Sequence, residues 1–181
     1  MQYITRKGNF DSGHRVMNER MKCFNMHGHT YVYELKFGFD KSQEIGYAID
    51  FKEIKRVGCS WIDDHLDHGF ILNPLDADVF RSVHATGSKY WEMSLNGRGS
   101  YCNPTVENIA KEILLAMKIL FRSYDDLNIC QVTLWETPNC YTECLTNSIS
   151  REEEINFMNV RGEEIAAYAD NKGMVEYDDR K

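Results

Sequence analysis

The stretch His27-Gly-His-Thr-Tyr-Val-Tyr-Glu-Leu-Lys-Phe-Gly-Phe39 decides the fold. Tyr31, Tyr33, Leu35, Phe37 and Phe39 alternate with Val32, Glu34, Lys36 and Gly38, the period of two expected of a strand with one buried face. Residues 2–13 form a second candidate strand, with Gly8 a bulge or bend, and residues 15–26 an irregular loop. If the two strands pair as a hairpin, His14 falls opposite His27 and His29. Residues i and i+2 share a strand face, so three imidazoles converge and leave a fourth position open. That donor set suits a catalytic zinc. Gly28 leaves the opposite face bare.

Working outward, Asp50 reads as an N-cap with Glu53 completing a capping box, and Phe51, Ile54, Val57, Trp61 and Ile62 follow helical spacing. A loop with Asp-His pairs occupies 63–69. Asp76–Ala85 reads as a short helix, Trp91, Met93 and Leu95 alternate like a strand, and 96–100 is a turn or mobile loop. A second helix opens at Pro104-Thr105, capped by Thr105 or Asn103, with Val106, Ile109, Ile113, Met117 and Leu120 as its stripe. Residues 128–136 alternate again. The last 30 residues are acidic and weakly periodic, with a short helix near Glu163–Tyr168. Two strands, a helix, an irregular segment, a helix and a strand imply an α+β fold with an antiparallel sheet. The long strand at 27–39 leaves an edge that must be paired or covered, which points to an oligomer.

Composition bounds the function. A chain of 181 residues, 43% hydrophobic, suits one domain or one domain with an appendage and is not disordered by default. Its longest apolar runs are five residues, Ile113–Met117 and Ile165–Ala169, against roughly 20 for a membrane span. The first 13 residues show no signal-peptide core. A net charge of −7 argues against nucleic acid as partner. Residues 1–22 nevertheless carry an excess of basic side chains, a field that favours an anionic small molecule. The six cysteines, without a secretory signal, read as free thiols in a reducing, cytoplasmic compartment. Cys59 reads as packing, and Cys140 and Cys144 lack a second pair to complete a zinc site.

Four further groups carry chemistry. Cys23 lies in a loop with Arg20 and Lys22, and nearby positive charge or a metal populates a thiolate. Asp67-His68 can form an acid–base pair. Alternatively His65 and His68 bind the metal themselves, or these histidines interact with a helix C-terminus. Glu136, at the end of an apolar strand, can accept two N–H groups from an amidine-like ring edge. Glu107 in the first turn of the second helix suits the helix dipole.

Together these residues resemble one family. Phe10-Asp-Ser-Gly-His14-Arg15, Cys23-Phe-Asn-Met-His27-Gly-His29 and Gly46-Tyr-Ala-Ile-Asp50-Phe51 match the 6-pyruvoyltetrahydropterin synthase/6-carboxytetrahydropterin synthase superfamily. Leu66-Asp67-His68, Asn103-Pro-Thr-Val-Glu107-Asn108 and Trp135-Glu136-Thr-Pro-Asn-Cys140 continue the match, which spans roughly 3–145. The resemblance implies the tunnelling fold, a four-stranded antiparallel sheet with two helices on one face. Trimers stacked into a homohexamer, with active sites at subunit interfaces, are also implied. Residues 1–149 would form that domain, with an insertion at 76–102, and residues 150–181 an acidic extension. By position, His14, His27 and His29 would hold Zn2+, Cys23 would be the catalytic thiol, and Asp67 and His68 the proton-transfer pair. Glu136 would anchor the pterin, with Thr105 and Glu107 lining its pocket. Three residues between Cys23 and His27 resemble the 6-carboxytetrahydropterin synthase branch of queuosine and 7-deazaguanine biosynthesis. The implied reaction is zinc-dependent conversion of 7,8-dihydroneopterin triphosphate to 6-carboxy-5,6,7,8-tetrahydropterin, acetaldehyde and triphosphate. The alternatives are the 6-pyruvoyl-forming synthase and a non-catalytic zinc or pterin module.

Overall fold

In the computed structural model, which describes residues 1–173, β1 (Gln2–His14) and β2 (His27–Phe39) pair antiparallel along their whole length. The register runs unbroken from Gln2 opposite Phe39 to His14 opposite His27. The bulge expected at Gly8 is absent: Gly8 pairs with Tyr33, and a Cβ there would stand 2.3 Å from the Tyr33 hydroxyl oxygen. The glycine gives a tyrosine ring room to lie across it. Phe10, stacked on Tyr31 at 5.0 Å between ring centres, packs the same face.

β5 (Asn128–Thr137) adds antiparallel to β2, and β6 (Cys140–Leu145) to β5. These four strands are the antiparallel sheet that the sequence implied. The structure extends it: β3 (Gly69–Leu72) and β4 (Tyr90–Glu92) run parallel to β1 on its free side, giving the order β4-β3-β1-β2-β5-β6. The segment read as an irregular insertion therefore contributes a strand, with α3 (Ala77–Ala85) between β3 and β4.

A helix formed by α1 (Phe51–Ile54), a π-helical stretch (Lys55–Cys59) and α2 (Ser60–His65) covers the sheet beside α4 (Val106–Leu120). Tyr31, Tyr33, Leu35 and Phe37 share one core with Ile54, Trp61, Ile113 and Met117. The capping box expected at α1 is only half made. Asp50 Oδ1 accepts from the Lys52 amide at 2.8 Å, but Glu53 turns inward, accepting from Arg56 Nε at 2.9 Å and the Tyr124 hydroxyl at 2.6 Å. Burial pushes the Glu53 carboxyl up, and these two donors outweigh it and hold it below its usual range. Arg56 also donates to the carbonyls of Lys172 (2.6 Å) and Gly173 (2.5 Å).

Those carbonyls end α5 (Arg151–Lys172), and here the structure departs furthest from expectation. The short helix foreseen near 163–168 is part of a 22-residue helix, opened by a Ser150–Glu153 capping box and packed along α4. Phe157 and Ile165 belong to the common core. Residues 174–181 of the expected acidic extension lie outside the described residues. No helix among the described residues is long and apolar enough to cross a membrane.

Phe157 is 0% exposed, so Phe157→Ala should lower the unfolding free energy of the full chain by about 3–5 kcal/mol. Denaturant titration checks this. A loss below about 1 kcal/mol would mean that α5 is not part of the core.

Candidate active site

Strand alternation sorts the chemistry onto two faces. Ser12 and His14 of β1, and His27, His29 and Tyr31 of β2, face the helices; Asp11, Gly13, Gly28 and Thr30 face away. On the helix side the three imidazoles present nitrogens that all lie within 4.8 Å of one another. His14 Nδ1 donates to the Pro104 carbonyl at 2.8 Å, and His27 Nδ1 donates to the Asn25 carbonyl at 2.7 Å. A carbonyl only accepts, so both protons sit on Nδ1. The two Nε2 lone pairs then face each other 3.1 Å apart. Such an arrangement is repulsive unless a cation lies between them. Burial, with smaller contributions from His27 and His29, pulls the His14 pKa down to about 4, so His14 itself takes up no second proton at neutral pH. Three imidazoles, two of them oriented by backbone carbonyls, fit a divalent metal ion.

Glu136 lies on the same face, with Oε1 at 3.6 Å from His14 Nε2 and 3.9 Å from His29 Nε2. Strand pairing between β2 and β5 starts only at Val32 opposite Trp135. Beyond that point the strands part around a cleft of about 590 Å³, lined by Lys7, Gly28, Thr30, Trp135, Glu136 and Pro138 among others. That volume suits a small molecule.

Cys23 sits half-buried in a 3₁₀ turn, Lys22–Phe24. In the metal-free chain burial, then the carboxylates of Glu136 and Glu19, push the thiol up, and Arg20 and Lys22 do not offset them.

Asp67 and His68 form the expected pair, His68 Nδ1 lying 2.6 Å from Asp67 Oδ2. The Asp11 amide donates to Asp67 Oδ1 at 2.8 Å, and the His68 amide donates to the Asp11 carbonyl at 2.7 Å. The Thr30 hydroxyl holds the Asp11 carboxylate at 2.5 Å. Burial pushes Asp67 up, and the Asp11 amide and His68 outweigh it, leaving it below its ordinary range. His68, 78% exposed, lines a depression with Asp11, Gly28, His29 and Thr30. The pair hangs from the outward-facing Asp11 and is no part of the imidazole cluster, and His29 is the triad member that shares its depression. Asp11 and Thr30 were missed as functional residues. Their signal was available, because a register with His14 opposite His27 also sets Asp11 opposite Thr30.

The remaining candidates are placed as follows. The Thr105 hydroxyl caps α4 by accepting from the Asn108 amide at 3.4 Å, and Glu107 is exposed on the first turn. His65 does not join His68 at a metal: its Nδ1 donates to the Trp61 carbonyl at 2.8 Å, and its ring stacks on Trp61. Cys140 and Cys144 are free thiols, the first exposed and the second buried.

Comparison with known proteins places the chain in a family. Residues 3–147 match the model of the family described as 6-pyruvoyl tetrahydropterin synthase. The chain belongs to that family. The 6-carboxy-5,6,7,8-tetrahydropterin synthase of Rickettsia felis is 37% identical over 142 residues, spanning 77% of this chain and 96% of that protein. An uncharacterised Wolinella succinogenes protein shares the fold at a TM-score of 0.64 and 19% identity, over 80% of this chain and 98% of its own. The Caenorhabditis elegans 6-pyruvoyl tetrahydropterin synthase does so at 0.55 and 22%, over 80% and 94%. The protein is thus a pterin synthase-family enzyme with the tunnelling fold. The family match ends before α5.

In metal-free protein, the Cys23 alkylation rate should rise with pH to a midpoint above the ordinary thiol value of 9.0. Glu136→Gln removes a negative charge that opposes thiolate formation, so it should move the midpoint down. Peptide-resolved iodoacetamide labelling across pH reads both, and an upward move would reverse the assignment of Glu136 as the neighbouring charge.

Proposed function

We propose that the protein converts 7,8-dihydroneopterin triphosphate to 6-carboxy-5,6,7,8-tetrahydropterin, releasing acetaldehyde and triphosphate, with water supplying the second carboxyl oxygen. The observation that carries this reading is the set of relatives named 6-carboxy-5,6,7,8-tetrahydropterin synthase, the Rickettsia felis protein among them. The three-residue spacer between Cys23 and His27 supports it, and so does a donor set suited to zinc. The product would feed 7-deazaguanine biosynthesis in the cytoplasm.

Zinc held by His14, His27 and His29 would supply a Lewis acid for oxygens of the substrate side chain. Pro104 and Asn25 keep the ligand nitrogens deprotonated through the carbonyls they offer to Nδ1. Glu136, with three side-chain torsions, swings off the imidazoles to accept the pterin N3–H and 2-amino groups, and the ring occupies the cleft beside it. Thr105 and Glu107 close the pocket at the start of α4. Cys23 takes a proton from the side chain on the helix face. A metal's positive charge beside the thiol opposes the acidic surroundings that raise it in the free protein. His68, oriented by Asp67, moves the second proton. Because Asp67 and His68 are tied to the outward-facing Asp11 and stand apart from the imidazole cluster, we assign them to the pocket of a neighbouring copy, which makes the homo-oligomer, a hexamer by the family pattern, the catalytic unit.

Zinc-loaded protein incubated with 7,8-dihydroneopterin triphosphate should yield acetaldehyde and a 6-carboxy product by mass analysis. A product that keeps all three side-chain carbons would instead place the protein with the 6-pyruvoyl-forming synthases.

Metal analysis separates the two histidine groups. His27→Ala should strip the metal, whereas His65→Ala should retain about one zinc per chain. The reverse pattern would move the site to His65 and His68.

A further inference from the structure

The loop that bears Cys23 has little core of its own. Its 3₁₀ turn buries no residue, and Met21 and Met26 are exposed. Its shape must be imposed from outside, and three consecutive residues carry the links. The Arg15 guanidinium lies over the Phe24 ring, 4.7 Å from its centroid. The Val16 amide donates to the Cys23 carbonyl at 2.8 Å. Met17 is held on both sides by Asn103, its amide donating to Asn103 Oδ1 (2.9 Å) and its carbonyl accepting from Asn103 Nδ2 (3.0 Å). The Met17 carbonyl also accepts from the Tyr101 hydroxyl at 3.2 Å.

Arg15 in turn is gripped by Asp76. Arg15 Nε donates to Asp76 Oδ2 at 2.7 Å and Nη2 to Oδ1 at 2.8 Å, a bidentate fork. Asp76 is only 3% exposed and also caps α3 through the Val79 amide. Asp76 and Tyr101 stand at opposite ends of one segment, which the buried Asn73 clasps. Its Oδ1 accepts from the amides of Leu75 (3.1 Å) and Cys102 (3.2 Å), and its Nδ2 donates to Asn103 Oδ1 (2.9 Å). The segment is itself anchored. Buried Glu112 of α4 accepts from Trp91 Nε1 (2.5 Å) and from the amides of Ser94 and Leu95. Arg161 of α5 donates to Ser94 Oγ (3.0 Å) and the Glu92 carbonyl (2.9 Å).

We propose that Asp76 is a positioning residue which, through Arg15 and Phe24, sets the Cys23 thiol against the three imidazoles, so that residues 73–103 act as the buttress of the thiol loop. Its effect on turnover rests on the reaction proposed above; its effect on the loop does not. A short turn without buried side chains opens locally at little cost. A displacement of about 1 Å at a reacting group costs on the order of 100-fold in rate.

Two variants test the link in the full-length, zinc-loaded protein. Asp76→Asn keeps an effective helix cap but removes the ionic fork. Arg15→Lys keeps the charge but loses the planar, bidentate and stacked group. In both, peptide-resolved iodoacetamide labelling of Cys23 should accelerate by roughly 10-fold, with Cys140 and Cys102 labelling and zinc content at parent levels. With 7,8-dihydroneopterin triphosphate, kcat should fall by about 10- to 100-fold and KM should stay near the parent value. Parent-like Cys23 labelling in both variants would overturn the proposal. Accelerated labelling of buried Cys102 would overturn it too, by showing general unfolding. A parent protein that does not turn over this substrate, while the variants still expose Cys23, would refute the assigned reaction and leave the buttress standing.

Discussion

The pairing of β1 with β2 is the constraint on which the rest depends. Side chains alternate with period two, so a slip of one residue would send every β1 side chain to the other face. His14 would leave the imidazole cluster for the outer face, and Asp11 would enter the core. What holds the register is aromatic packing more than hydrogen bonding, which any register would satisfy. Phe10 stacks on Tyr31 and tilts against Tyr33, and Tyr33 lies across Gly8, where no side chain could stand. The same alternation that buries those rings carries His27 and His29 onto their face four and two residues before Tyr31. The imidazole cluster is therefore the open end of the hydrophobic core.

The helices are fastened by satisfied buried carboxylates. Glu53 gathers Arg56 and Tyr124, and Arg56 passes the link to the last carbonyls of α5. Glu112 gathers an indole and two amides, and Arg161 of α5 reaches the same segment. Removing Arg56 would leave the buried Glu53 charge uncompensated, which is strongly destabilising, whereas replacing the whole pair by apolar residues often is not. The ties therefore specify where α5 and residues 90–95 sit more than they add net stability. That division of labour suits a helix whose surface is largely polar. Phe157 and Ile165 give it a narrow apolar grip, and the ion pairs choose its position along α4.

What was legible in the sequence follows from this. The strand at 27–39 announces itself because one face is buried and the other polar, and placing His14 opposite His27 needed only that strand and its hairpin. Three antiparallel strands, the stripe of α4 and the imidazole triad were readable from the residues; the fourth strand, β6, was implied only by the family resemblance. The alternation of Trp91, Met93 and Leu95 pointed to β4, although the strand itself ends at Glu92, whereas β3, four residues long, was too short to show a period. The extent of α5 was missed because its apolar residues form no continuous stripe, although Ser150 and Glu153 stood at capping-box spacing. The Glu53 capping box failed for a physical reason: Arg56 and Tyr124 offer that carboxylate buried partners, and only the fold brings Tyr124 there. For Cys23, sequence proximity to Arg20 and Lys22 could not show its burial or the approach of Glu136, more than 110 residues later, which with Glu19 pushes the thiol up in the metal-free chain.

The separation of Asp67–His68 from the triad is then a statement about assembly. Neighbouring strands lie about 4.8 Å apart. His68 leads into β3 and Glu136 lies on β5, with β1 and β2 between them. Three spacings make roughly 14 Å between the His68 and Glu136 strands, whereas His14 on β1 is one spacing from β3. Proton transfer requires contact at about 3 Å, or one water further. Motion does not close that gap, because the pair is pinned: the His68 amide is bonded to Asp11, its backbone sits at φ 52°, and Asp67 is held by the Asp11 amide. A pinned acid–base pair that far from its own Glu136 suits a ligand anchored elsewhere. On the proposed reaction, that ligand lies in the cleft of another copy, whose thiol reaches it from the helix face while this chain's His68 reaches it from the other. Each chain would then carry half of two sites, and the same β1–β2 register that assembles the triad would also aim His68 at its neighbour.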